Sequence, residues 1–236
     1  MLISVLIITY QRHRLLEEAL YSFLQQDYQS DTQVLIVNDS ANVEYRFDHP
    51  RVRIINHSSR FPSLLEKLKF GFENSRGQNV YRLDDDDLMM PWALSLVESY
   101  ILNNPGYDVY RCQNHYNFND NRYYGLGTNI NNGNCYTKEY LNRFAFDSVS
   151  FGEDVLLTCG PNTRMYNGNT GKYSMVYRWG MGTFHVSGWG EQTPEQVNQN
   201  VDNFIQNHSE VEQGVITLNP HFRDDYYAKI TQQALV

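Results

Sequence analysis

"NVYRLDDDDLMMP", residues 79–91, is an apolar strand that runs into four consecutive carboxylates and stops at a proline. A strand without polar alternation belongs inside a parallel sheet that is covered on both faces. Polar groups at its C-terminal end stand where open α/β sheets bind their ligands. Asp84, Asp85, Asp86 and Asp87 also pose an electrostatic problem. At about 4 Å and an effective dielectric of ~20, one like-charged pair costs roughly 4 kcal/mol. The run therefore needs a cation beside it, or water to screen it. Beyond Pro91, residues Ala93, Leu94, Val97, Tyr100 and Ile101 fall on one helical stripe, with the proline suited to the first turn.

The segments upstream repeat this strand-then-helix rhythm. "SVLIITY" is followed by Leu15, Leu16, Ala19, Leu20, Phe23 and Leu24 at helical spacing, then by "QVLIV", "RVRII" and the helix-like "SLLEKLKFGFENS". The alternation predicts an α/β fold with a mostly parallel central sheet and helices on both faces. From about residue 107 the pattern loosens into short aromatic and polar runs rich in Asn, Gly and Tyr, as in strands joined by turns. Helical patterns return at "TPEQVNQNVDNFIQNH" and near the C-terminus. No repeat or linker divides the chain, so residues 1–111 and 112–236 are expected to be two halves of one domain.

The 236 residues are 41% hydrophobic, enough for a substantial core and too apolar for a disordered chain. A formal net charge of -8 argues against a nucleic-acid partner, which would require a basic face. An anionic substrate would need a metal or a local basic group. Met1 leads straight into a strand without a basic leader, and no apolar run approaches the ~20 residues of a membrane span. Cys112, Cys135 and Cys159 read as reduced core thiols, and a cytoplasmic location is expected.

The strand ends carry the chemistry. The first ends at Thr9 and Tyr10, the second at Asn38, Asp39 and Ser40, and the strand quoted above at its aspartates. A hydroxyl, an aromatic face and carboxylates together suit a nucleoside. Taken singly, each residue is an ordinary cap or turn residue, and an aspartate run is most often a solvated turn; the weight lies in the constellation. "TYQRHR" contains no Gly-rich phosphate loop, so a diphosphate would be held through a divalent ion. Carboxylate oxygens favour Mg²⁺ or Mn²⁺ for that purpose.

Four segments, "SVLIITYQR", "VLIVNDS", "YRLDDDDLMMP" and "FGEDVLLTC", resemble in order and spacing the family-2 glycosyltransferases of the Rossmann-like GT-A fold. The likeness runs to about residue 160 and continues more loosely in "YRWGMGTFHVSG". It implies that Thr9, Tyr10 and Asp39 contact the nucleoside, with Asp39 facing the base. It makes Asp84 and Asp86 the ends of a D-x-D signature around Asp85, within the nucleotide site. Asp86 would be the direct metal ligand, Asp84 a ribose or sugar contact that also borders the metal, and His185 a metal or diphosphate contact. Asp87 would cap the next helix, and Arg82 would pair with the aspartates. Glu153-Asp154 matches the family's ED motif, with Asp154 as catalytic base and Glu153 supporting the acceptor or its loop. Inverting transfer requires such a base, because the acceptor hydroxyl must lose its proton opposite the leaving diphosphate. An acidic first helical turn is the plainer reading of the same pair.

The resemblance implies an inverting, hexosyltransferase-type enzyme that uses Mn²⁺ or Mg²⁺. A UDP-sugar donor is favoured by family frequency, and the acceptor would be a glycan, glycoprotein or lipid-linked hydroxyl. "NDSA" departs from the two aspartates and glycine common after the second strand. Arg178-Trp179 partly resembles the Q-x-x-R-W element of processive synthases, but Met175 holds the glutamine position. Two rival readings are a non-catalytic carbohydrate-binding descendant of the fold and a sugar-nucleotide nucleotidyltransferase; the glycine-free first loop counts against the latter. Sequons at Asn38, Asn56 and Asn207 include one in the nucleotide site, which favours a compartment without N-glycosylation.

Overall fold

A computed structural model of the chain describes residues 3–28, 30–118, 122–124, 132–146, 153–158, 162–166, 173–178, 196, 199–200, 203 and 212–233. The first strand, β1 (Ile3–Thr9), is buried at all seven positions. It lies between β2 (Thr32–Asn38) and β5 (Asn79–Asp84) and is parallel to both. Beyond β2 stands β4 (Val52–Asn56), also parallel. On the other side, β10 (Cys135–Thr137) runs antiparallel between β5 and β7 (Val109–Cys112). The edge strand β11 (Thr163–Tyr166) is parallel to β7. The order β11-β7-β10-β5-β1-β2-β4 is thus a seven-stranded, mostly parallel sheet, as expected.

Alternation along β1 explains its predominantly apolar sequence. Ile3, Val5 and Ile7 pack with Leu16, Ala19, Leu20 and Phe23 of α1 (His13–Leu24) and with Ala93, Leu94 and Val97 of α3 (Ala93–Asn103). Leu6 and Ile8 point the other way, toward Leu65, Leu68 and Phe72 of α2 (Leu64–Asn74) and Tyr140 and Leu141 of α4 (Lys138–Arg143). Each face thus has its own helix layer, and both kinds of β1 side chain leave water. Ser63 starts α2 by accepting the Glu66 N–H at 3.2 Å. Gly71 lets that helix approach β1 closely: a Cβ there would lie 2.5 Å from Leu6 Cδ1.

A second sheet, in the order β6 (Leu88–Met89), β12 (Met175–Tyr177), β8 (His115–Asn117), β9 (Arg122–Tyr124), lies beyond the aspartates. A third, of two parallel strands, pairs β3 (Val43–Arg46) with β13 (Gly214–Thr217). The remaining helices are α5 (Glu153–Thr158) and α6 (Tyr226–Gln233), and residues 196, 199–200 and 203 are helical as their pattern predicts. Two local expectations shift. β3 is an added strand, and Pro91 lies outside α3, whose N-cap is Trp92. Among the described residues no helix is long and apolar enough to cross a membrane.

Candidate functional site

Strand register brings the candidate residues to one rim. Thr9 is level with Asn38, and Ile8 with Asp84, so Thr9, Asp39 and Asp84 emerge side by side at the C-terminal ends of β1, β2 and β5. Asp39 is buried and fully engaged: Lys67 Nζ lies 2.5 Å from its Oδ1, and the Phe61 N–H donates to its Oδ2 at 3.0 Å. Lys67 also donates to the Thr9 carbonyl at 2.6 Å. Burial pulls the Lys67 ammonium below its ordinary pKa, with Asp39 opposing. The Tyr10 ring carries the Arg60 guanidinium 4.6 Å from its centroid.

The loop after β1 turns on Gln11, whose φ of 55° is left-handed. Its N–H donates to Ser40 Oγ at 3.0 Å, and its side-chain oxygen accepts the Glu212 N–H at 2.7 Å. Glu212 in turn accepts from the His13 N–H at 2.7 Å and from the Tyr45 hydroxyl. This bracing by the C-terminal segment directs Arg12 toward the aspartates. Arg12 Nε reaches Asp85 Oδ2 at 3.1 Å and Nη1 reaches Asp86 Oδ2 at 3.0 Å, while Nη2 also pairs with Asp85.

The outer two carboxylates of the run have partners of their own. Asp84 receives Arg82 Nε at 3.0 Å and Nη2 at 3.3 Å. Asp87 accepts the Arg178 N–H at 2.7 Å and Asn132 Nδ2 at 2.5 Å, so it does not cap α3. Asn132 also receives the Asp84 N–H at 3.0 Å. Arg178 is fully buried, donates to the Asp86 carbonyl at 2.5 Å and pairs with Glu18 of α1. Burial pushes Asp85 up to about 6 against the pull of Arg12, with Asp86 adding to the rise. Burial, then Asp86 and Asp84, push Asp87 well up, with Arg178 opposing. Two guanidinium groups and a set of buried N–H donors thus supply much of the positive charge that four adjacent aspartates require.

Asp84, Asp86 and Asp87 each offer an oxygen, and these atoms lie within 4.8 Å of one another. Octahedral Mg²⁺ with ligands at about 2.1 Å spaces its oxygens by roughly 3 to 4 Å, so a modest contraction fits this all-oxygen set to Mg²⁺ or Mn²⁺. Arg12 shares Asp86 with any such ion.

The second acidic motif opens α5. Glu153 is its first residue and accepts Arg82 Nη2 at 3.2 Å; Asp154 follows it in the helix. The Asp154 side chain, His185, Cys159 and Trp179 lie outside the described residues. Arg82 pairs with the aspartates as expected, and its link to Glu153 is new. Sequence reading also missed Arg12, Lys67 and Asn132. The first sits directly behind a strand end, which is a usable signal; the other two stand in a helix and an Asn-rich turn that look ordinary.

The sequence profile described as "Glycosyl transferase family 2" matches residues 4–190. No curated protein sequence matches the chain. Among solved structures, residues 1–349 of S. aureus TarS superpose with a TM-score of 0.60 at 15% identity, covering 91% of this chain and 67% of that one. The same protein in complex with UDP gives 0.61 at 16% identity, with 91% and 67% covered. Its complex with UDP-GlcNAc gives 0.61 at 16%, with 91% and 68% covered. At such identity the likeness concerns the fold, and it agrees with the seven-stranded GT-A sheet. With a profile match over most of its length, the chain belongs to glycosyl transferase family 2 and is a glycosyltransferase of the GT-A fold.

Proposed function

We propose that this glycosyltransferase moves a sugar from a nucleotide diphosphate donor to a hydroxyl acceptor with inversion at the anomeric carbon. The carrying observation is the shared rim: Thr9, Asp39 and the aspartates stand at three adjacent strand ends, and Glu153 is tied to them. In this reading Thr9, Tyr10 and Asp39 bind the nucleoside, Asp84 and Asp85 border the ribose and sugar, and Asp154 takes the acceptor proton. Mn²⁺ or Mg²⁺ on Asp86 and Asp84, with Asp87 alongside and His185 as an expected further contact, would stabilise the charge of the leaving diphosphate. Glu153 supports the acceptor loop. Residues 1–111 serve the donor and 112–236 the acceptor and base.

A UDP-sugar is the favoured donor; the TarS complexes with UDP and UDP-GlcNAc, on a similar fold, support it. The acceptor class is a glycan, glycoprotein or lipid-linked hydroxyl. Calorimetric titration with UDP, GDP, CDP and their sugar conjugates, in Mn²⁺ and again in EDTA, tests the reading. One nucleotide should bind only with metal, Asp86→Ala should abolish that binding, and Asp154→Asn should keep it while losing turnover. Retained configuration in the product, read by NMR couplings, refutes inversion. Absence of metal-dependent binding to every nucleotide leaves the non-catalytic reading.

A further inference from the structure

Arg82 stands in β5 between the buried Tyr81 and Leu83 and is 4% exposed. Burying a guanidinium in a central strand costs several kcal/mol unless its partners are well placed. Its partners come from two distant places. Nε and Nη2 grip Asp84 at 3.0 and 3.3 Å, and Nη2 also reaches Glu153, 71 residues away, at 3.2 Å. The strand at this point is held on its open side as well: the Arg82 N–H donates to the Asn134 carbonyl at 2.9 Å, and its carbonyl accepts the Gly133 N–H at 2.8 Å. The base of the side chain is therefore fixed, and so is the reach of its fork. Among the described residues, Nη1 is buried without a hydrogen-bond partner. A group serving only to neutralise Asp84 would need neither the second carboxylate nor an unpaired donor, and such exceptions call for an explanation.

We infer that Arg82 is a positioning residue of the proposed transfer, tying the sugar-side Asp84 to the head of α5 so that the donor contact and Asp154 keep one spacing. This rests on the function proposed above. The planar fork is essential to it. A lysine keeps the charge but, as a point donor, does not span two carboxylates with the same rigidity. Without the link, Asp84 and Glu153 face each other as like charges, and α5 shifts away from the donor side. Displacements on the order of 1 Å near a reacting centre cost about a hundredfold in rate.

The test compares Arg82→Lys, Glu153→Gln and the double variant for UDP affinity by calorimetry, for kcat of donor turnover, either by transfer or by hydrolysis with water, and for melting temperature. Arg82→Lys should keep UDP affinity within about threefold and lose at least about tenfold in kcat. Glu153→Gln should lose a similar factor, and the double variant no more than the worse single one, because all three weaken the same charge-assisted link. Additive losses, or wild-type kcat in Arg82→Lys, overturn the assignment. If the lysine variant does not fold, Glu153→Gln decides alone, and wild-type kcat in it overturns the assignment. A wild-type protein that turns over no UDP-, GDP- or CDP-sugar refutes the function and this inference with it; wild-type turnover beside an unaffected lysine variant refutes only the inference.

Discussion

Lys67→Met removes the cation from Asp39 while keeping most of the side-chain volume. The pair is 2.5 Å apart, and both side chains are about 95% buried, at 6% and 5% exposure. The direct attraction, about 7 kcal/mol at an effective dielectric of ~20, is largely offset by desolvation of both ions. The remaining carboxylate, however, has only the Phe61 N–H left among the described residues. Breaking one side of a buried pair costs about 3–5 kcal/mol. Urea unfolding of variant and wild type should differ by about 3–4 kcal/mol at ~pH 7, equivalent to roughly 6–16 °C in Tm. A deficit below about 1 kcal/mol at ~pH 7 refutes the claim that Lys67 compensates the buried Asp39 carboxylate.

Arg12→Met should free Asp86 and raise the Mn²⁺ affinity of the nucleotide-free protein about tenfold, the equivalent of one charge-assisted hydrogen bond; unchanged affinity by calorimetry would mean that Arg12 and the ion do not compete. Gly71→Ala should destabilise by about 1–3 kcal/mol in urea unfolding, because the 2.5 Å approach to Leu6 outweighs the gain of about 1 kcal/mol in helix propensity; a stabilised variant would show that α2 can retreat freely. Burial pushes the Cys135 thiol far up, and Cys112 is buried too, so in a Cys159→Ser background neither should react with a disulfide reagent at about pH 8 until denaturant is added; native-state labelling of either would contradict the packing of β7 and β10.

The donor-side sheet was legible because its signal is local. β1, β2 and β5 each carry an apolar run and are buried at almost every position, and the residues at their ends mark the rim, so Thr9, Asp39, Asp84 and Asp86 could be named from the chain alone. What could not be read is the set of partners. Lys67 meets Asp39 across 28 residues, Arg12 meets Asp86 across 74 and Arg82 meets Glu153 across 71; nothing in the neighbourhood of either partner records such pairings. Asp87 failed as a predicted cap for the same reason, since Asn132 and Arg178 reach it from elsewhere. β3 escaped notice because "VEYR" is short and half-polar, and its partner strand lies at Gly214–Thr217.

The pairing of Glu18 with Arg178 has a consequence for synthesis. The two residues are 160 positions apart, and Glu18 is buried, with its oxygens shared among Arg178, the Arg223 N–H and the Tyr226 hydroxyl. A ribosome adding about 5–20 residues per second leaves roughly 8–30 s between the emergence of the acid and that of its cation. During that interval β1, β2 and β5 can assemble, but α1 cannot settle over its final surface with an unpaired carboxylate inside. The nascent protein therefore passes through a stage in which its nucleotide-side sheet exists while one helix stays loosely docked, awaiting a late arginine.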